Sequence, residues 1–352
     1  MTPPPVPPSM PRENDFKVKL AQYRELVLPT IAAATPAREP RRHLYDLIGG
    51  YLSRVGKGLR PALCIATCRA FGGRDEDVLK SAAALELLHN AFLVHDDIED
   101  ESDFRRNEPT LHKQHGVALA VNVGDAMNAL SLRLVKDNLP VLGGARTWGV
   151  LQEFDHMILE TLEGQALELG WVRENNCTAT EDDYLRMVLK KTCWYSFIHP
   201  CRIGALIARG EGVDLDRFNR FGFFTGAAFQ IQDDVLNLVG DASRYGKEIG
   251  GDLWEGKRTL ILAHLFRSIG STDLSRVRTL LARPRQLRLP RDIAWLGDMV
   301  TTHGSIDYAR DVSRQLIAAA ESEFETAYGD VPDGPDKTFI RQLVHYMVTR
   351  DL

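Results

Sequence analysis

The sequence has little that would tie it to a disulfide scaffold, a membrane span or a nucleic-acid surface. Its 352 residues include five cysteines, Cys64, Cys68, Cys177, Cys193 and Cys201, an odd number whose spacings fit no zinc template. Cys64 and Cys68 stand four apart in an apolar stretch, where thiols serve as small core residues. All five read as reduced, which fits a cytoplasmic protein. The chain lacks an uninterrupted apolar run long enough for a transmembrane helix. Its start, Met1 to Pro11, is proline-rich and has no apolar stretch behind basic residues, so it is not a signal peptide. A net charge of −5 leaves no basic excess for nucleic acid or an anionic membrane. Alternating strand patterns are scarce.

What is present is helical periodicity. From Asp15 onward, apolar residues recur at intervals of three and four. The pattern predicts long helices over Leu79–Asp100, Leu119–Leu134, Thr147–Gly170, Glu181–Gly210 and Leu215–Val239, followed by shorter ones to Val348. Turns are marked by Gly72-Gly73, Gly143-Gly144 and Gly250-Gly251. No linker separates two units. Residues 1–14 read as a disordered proline-rich tail and 15–352 as one all-α domain, a large helical bundle with ligand sites between facing helices.

Two acidic clusters close apolar helices. The first is Asp96-Asp97-Ile98-Glu99-Asp100; residues four apart share a helix face, so Asp96 and Asp100 point the same way. His89 precedes Asp96 by seven and falls on the same stripe. The second is Gln230-Ile231-Gln232-Asp233-Asp234-Val235-Leu236-Asn237. Clustered acids repel one another and need solvent or cations. Neither cluster has the histidines or thiolates that transition metals favour, so Mg²⁺ with a phosphate-bearing substrate is the expected occupant.

Basic residues flank both clusters: Gly56-Lys57-Gly58-Leu59-Arg60-Pro61 near a helix start, Arg105-Arg106 after the first acids, Lys190-Lys191-Thr192, and a glycine-rich loop from Tyr245-Gly246-Lys247 to Lys257-Arg258. Singly each pair would be a solvated surface feature; flanking both acid clusters, they match a diphosphate.

In this order, the motifs resemble those of the trans-isoprenyl diphosphate synthases, or polyprenyl synthetases. The elements are Gly56-Lys57-x-x-Arg60-Pro61, Asp96-Asp97-x-x-Asp100, Arg105-Arg106, Gly164-Gln165, Lys191-Thr192, Phe229-Gln230-x-x-Asp233-Asp234 and Gly246-Lys247 through Lys257. The resemblance implies helices around a deep central cavity, a homodimer, and head-to-tail condensation of isopentenyl diphosphate with an allylic diphosphate. It further implies that Asp96, Asp97, Asp100 and Asp233 hold Mg²⁺. Arg105, Lys191, Lys247 and Lys257 would grip the allylic diphosphate, with Thr192 and Gln230 near its reacting carbon. Lys57, Arg60, His89 and Arg106 would hold isopentenyl diphosphate. Ala91 and Phe92 would limit product length, giving mainly the C20 geranylgeranyl diphosphate, with C15 farnesyl diphosphate the alternative. Four departures from the family pattern stand out: Asn107 where glycine is usual, Glu168 where aspartate often follows Gly164-Gln165, Asn237 in place of a third aspartate, and Arg350-Asp351-Leu352 where some members have a basic C-terminal tail.

Two rival readings use the same acids. A class I terpene cyclase ionises one diphosphate and would not need Lys57, Arg60, His89 and Arg106 as a second set. A non-catalytic prenyl-diphosphate-binding subunit would be expected to lose acids of the first cluster, and all three stand.

Overall fold

The computed structural model describes residues 13–54, 56–240 and 249–349. Most of the proline-rich tail and the Tyr245-Gly246-Lys247 segment lie outside them. The helices that matter for the site are α1 (Glu13–Ala34), α2 (Asp46–Leu52), α3 (Leu59–Ala70), α4 (Asp75–Glu99), α5 (Leu111–His115), α6 (Val117–Lys136), α7 (Leu139–Arg173), α8 (Glu181–Val188), α9 (His199–Arg209) and α10 (Arg217–Val239). Shorter helices follow, with Ser305–Tyr328 packed along α10 and Pro335–Thr349 last.

Local chemistry explains most boundaries. Asp75, Glu76 and Asp77 fill the first turn of α4, where acids complement the helix dipole. Thr180 and Asp183 form a reciprocal capping box at the start of α8. Gly143, at φ 74°, breaks the regular path of α7 at the predicted Gly143-Gly144 turn. Between α8 and α9 the expected α-helix is instead a π-helix, Leu189–Ile198. Such wide turns concentrate at functional sites.

The buried residues form two apolar clusters. One joins α1, α3, α4, α6 and α9 to the final helix; Phe221, Phe324 and Tyr328 pack within it. The other joins α8, the π-helix and α10 to the helices from Leu260 onward. Burying each large apolar side chain contributes about 1.5–3 kcal/mol, which holds both clusters against chain entropy. A cavity of about 430 Å³ is lined from α4, α7, the π-helix and α10.

Candidate active site

The acids of the first cluster emerge from the last turn of α4. Opposite them a short hairpin pairs Phe104–Arg105 with Glu108–Pro109. Its turn residues Arg106 and Asn107 both have positive φ, 56° and 62°, as a two-residue I′ turn requires. Asparagine tolerates this left-handed conformation, which is why it can stand in place of glycine. The hairpin presents Arg105, whose Nε donates to Asp97 Oδ1 at 2.7 Å and whose Nη2 donates to Asp96 Oδ2 at 3.0 Å. Asp96 faces the cavity. Asp97 is buried behind it against Arg105.

Lys191 and Thr192 come from the π-helix, which α7 approaches closely. A Cβ at Gly164 would lie 2.3 Å from the Lys191 backbone nitrogen, so only glycine fits there. Lys191 Nζ lies 3.4 Å from Asp96 Oδ1 and hydrogen-bonds Glu168. Burial pulls the Lys191 ammonium down, but Glu168 and Asp96 outweigh it and keep its pKa above the ordinary range. Thr192 Oγ1 donates to Gln230 Oε1 at 2.9 Å; Gln230 Nε2 donates to Asp234 Oδ1 at 2.9 Å; and Tyr184 donates to Asp234 Oδ2 at 2.7 Å. This chain fixes the Gln230 amide and engages Asp234; Asp233 stands beside it on the cavity wall.

Lys257 Nζ donates to Asp100 Oδ2 at 2.7 Å and pairs with Glu255 at 3.0 Å. Burial pushes the Asp100 carboxyl up to about 7, with Lys257 opposing that rise. The acids and cations of this end thus satisfy one another. Among the described residues, no three His, Cys, Asp or Glu side chains already form a metal cage. The donor chemistry nevertheless fits Mg²⁺: Asp96 and Asp233 present hard oxygen ligands from α4 and α10 to one cavity, with room for phosphate oxygens and water.

The other basic set gathers around Gly56. A Cβ there would sit 2.6 Å from Arg106 Nη2, so the glycine admits the guanidinium. Arg106 donates to the Arg54 carbonyl at 2.9 Å and to Asn90 Oδ1 at 3.3 Å. Arg60 stacks 4.2 Å over the Tyr195 ring and donates to Ser196 Oγ at 2.7 Å. Burial, then the charges of Arg60 and Arg106, hold His89 well below its usual pKa, so the ring is neutral. Arg60 Nε and His89 Nδ1 are buried without a hydrogen-bond partner among the described residues. Lys57 completes this wall.

Phe92 lines the cavity and meets Tyr195 edge-on at 5.6 Å. Ala91, placed at the floor by the resemblance, lies in the main apolar core, 1% exposed, and is not among the residues lining the cavity, whereas Phe92 and Tyr195 are. Lys247 lies outside the described residues. Tyr184, Tyr195, Glu86 and Glu255 belong to the site but escaped the sequence reading. Tyr195 follows Lys191 by four, a spacing that signals a shared helix face; Glu255 carried no signal beyond its nearness to Lys257.

The sequence profile of polyprenyl synthetase matches residues 41–288. The chain is 30% identical over 328 residues to the geranylgeranyl pyrophosphate synthase of Geoglobus acetivorans, covering 93% of this chain and 97% of that one. Its fold superposes on the geranylgeranyl pyrophosphate synthetase of Pyrococcus horikoshii with a TM-score of 0.84 at 29% identity, covering 97% and 100% of the two chains. A Corynebacterium glutamicum geranylgeranyl pyrophosphate synthase, solved with isoprenyl diphosphate and magnesium, superposes with a TM-score of 0.80 at 25% identity over 96% and 98%.

Proposed function

The chain belongs to the polyprenyl synthetase family, and from that premise we propose how its cavity joins isopentenyl diphosphate to an allylic diphosphate with mainly a C20 product. The observation that carries this reading is the pair of cation sets on one cavity. Arg105, Lys191 and Lys257 are engaged with carboxylates, whereas Arg60 and His89 keep buried nitrogens without partners among the described residues, beside Lys57 and Arg106. One diphosphate needs one set; two diphosphates need both.

In this reading, Asp96 and Asp233 on the cavity wall, with Asp100, would hold Mg²⁺, which when bound neutralises charge growing on the departing allylic diphosphate, while Asp97, buried against Arg105, braces that arginine instead of holding the metal. Arg105, Lys191 and Lys257, with Lys247 assigned by resemblance, shift from their carboxylates onto phosphate oxygens. Charge is thereby exchanged between partners rather than created in a dry pocket. Preorganised cations aimed at a leaving group lower the ionisation barrier. Thr192 and Gln230, locked by the chain to Asp234 and Tyr184, face the resulting allylic cation. Phe92, Tyr195, Phe229 and Leu162 exclude water from it. Lys57, Arg60, Arg106 and neutral His89 orient isopentenyl diphosphate so that its double bond attacks. The released diphosphate takes the proton.

A homodimer is part of the reading. It is supported by apolar side chains exposed on α6 and α7, including Val121, Trp148 and Leu159. A cytoplasmic site is supported by five buried, unpaired thiols. Among the described residues, no helix is long and apolar enough to cross a membrane.

The test is condensation of labelled isopentenyl diphosphate with dimethylallyl, geranyl and farnesyl primers, followed by chromatography of dephosphorylated products. A C20 product from all three supports the reading. Products ending at C15 would replace the C20 assignment, and cyclised products without isopentenyl incorporation would favour the cyclase. Sedimentation of the intact chain tests the dimer.

A further inference from the structure

Beyond the family motifs, the turn Arg285–Leu287 reaches back to the acidic end of the cavity. Arg285 Nη1 lies 3.2 Å from Glu255 Oε1 and donates to the Asp100 carbonyl at 3.4 Å. The other oxygen of Glu255 pairs with Lys257, and Lys257 holds Asp100. Two acidic and two basic side chains, each between 6% and 18% exposed, form a chain of ion pairs from Asp100 through Lys257 and Glu255 to Arg285, and the Arg285 bond to the Asp100 carbonyl closes it into a ring.

The backbone beneath the ring is fixed independently. Arg288, buried, donates to the carbonyls of Leu253, Trp254 and Leu281. Arg258, also buried, donates to the Gly256 and Asn176 carbonyls. Gly256, at φ 71°, leaves room for both guanidinia; a Cβ there would stand 3.1 Å from Arg288. The loop therefore has anchors besides Arg285, whose own side chain meets Glu255 and the Asp100 carbonyl.

We infer that Arg285 is a positioning residue for the allylic diphosphate: by occupying one oxygen of Glu255, it keeps that carboxylate from capturing Lys257. Without Arg285, Asp100 and Glu255 compete for Lys257, and the balance of charge shifts toward negative where a diphosphate must bind. Lys257 is then drawn toward Glu255 and its exchange onto phosphate becomes unfavourable. At the exposure found here such coupling is only weakly screened by water.

The inference rests on the two-diphosphate reading above and is tested by a double-mutant cycle in the full-length enzyme. Arg285→Ala is expected to raise KM for the allylic diphosphate about tenfold, the loss typical of one charged contact, while KM for isopentenyl diphosphate stays within about twofold. Glu255→Gln added to Arg285→Ala should restore allylic KM, and Arg285→Lys should retain most of it. Circular dichroism melting accompanies each variant. A strut without an electrostatic role would not be rescued by Glu255→Gln, so failure of rescue overturns the inference. Equal loss for both substrates, or none for either, overturns it too. Failure of the underlying reading is distinguishable, because the parent enzyme would then not condense the two diphosphates at all.

Discussion

Asn237 Oδ1 accepts a hydrogen bond from the backbone nitrogen of Asp252 at 3.0 Å. The Asn237 carbonyl also accepts from Gly250 at 2.7 Å. The residue that replaces an expected aspartate therefore anchors the loop delivering Lys257, a task needing only an acceptor oxygen. Asn237→Asp should leave turnover within a few-fold of the parent. Asn237→Ala strands a partly buried N–H and should cost about 1–3 kcal/mol of stability, together with a rise in allylic KM. Thermal melts and steady-state kinetics on the two variants check the contrast.

The two leading aspartates should fail differently. Asp96→Ala is expected to stay folded and lose turnover by orders of magnitude, because Asp96 faces the cavity. Asp97→Ala leaves Arg105 buried beside a gap, so it should also lose about 3–5 kcal/mol of stability. Chemical denaturation beside a radiolabel assay separates them; equal stabilities would contradict the buried-pair assignment.

Lys57→Ala or Arg60→Ala should weaken isopentenyl diphosphate more than the allylic substrate, and Arg105→Ala the reverse. Each lost phosphate contact should cost roughly 1.5–3 kcal/mol, or about ten- to a hundredfold in affinity. Competition binding with each diphosphate measures this; unchanged isopentenyl binding in both Lys57→Ala and Arg60→Ala would leave one diphosphate site.

Product length should respond to Phe92. Removing its ring opens the gap beside Tyr195, so Phe92→Ala should lengthen the product. Ala91→Phe forces a ring into the core and should shorten the product through displacement of its neighbours, at some cost in stability. Chromatography of dephosphorylated products reads both; an unchanged distribution in both would move the floor to another helix.

Away from the cavity, buried Glu153 hydrogen-bonds His199 at 2.7 Å and Arg202 at 2.7 and 2.9 Å. Burial pushes its carboxyl up, but these bonds outweigh it and hold the pKa at about 2. A depressed carboxyl stabilises the fold above its unfolded pKa, roughly 4.5, and that stability is lost as pH falls toward 2. Glu153→Gln should therefore melt several degrees below the parent at neutral pH, with the difference shrinking below about pH 4.5. A constant difference across that range would remove the ionic part of this account.

The helical bundle was legible because its apolar residues keep a 3.6-residue period over most of the chain; α10 ends at Val239, where the predicted Leu215–Val239 helix ends. The acidic clusters and their flanking cations were legible because each motif is local in sequence. What the sequence could not supply was pairing between distant elements: Glu168 with Lys191, Tyr184 with Asp234, Arg285 with Glu255. Ala91 was named through the resemblance alone; it stands five residues before Asp96, off the face they would share four apart, and it lies in the core. The π-helix was illegible because its sequence keeps the apolar content of an α-helix, and the wider turn follows from packing on both sides.

That wide turn also bears on which changes of length the chain can absorb. Residues on an α-helix advance about 100° each, so deleting one residue between 189 and 198 would rotate everything before it against everything after it. Tyr184 could then keep Asp234, or His199 could keep Glu153, but not both. An exposed turn whose flanks carry no such paired side chains is free of that constraint. Insertions and deletions among descendants of this sequence should accordingly accumulate in turns of that kind and spare this one helical stretch, whatever happens to its individual side chains.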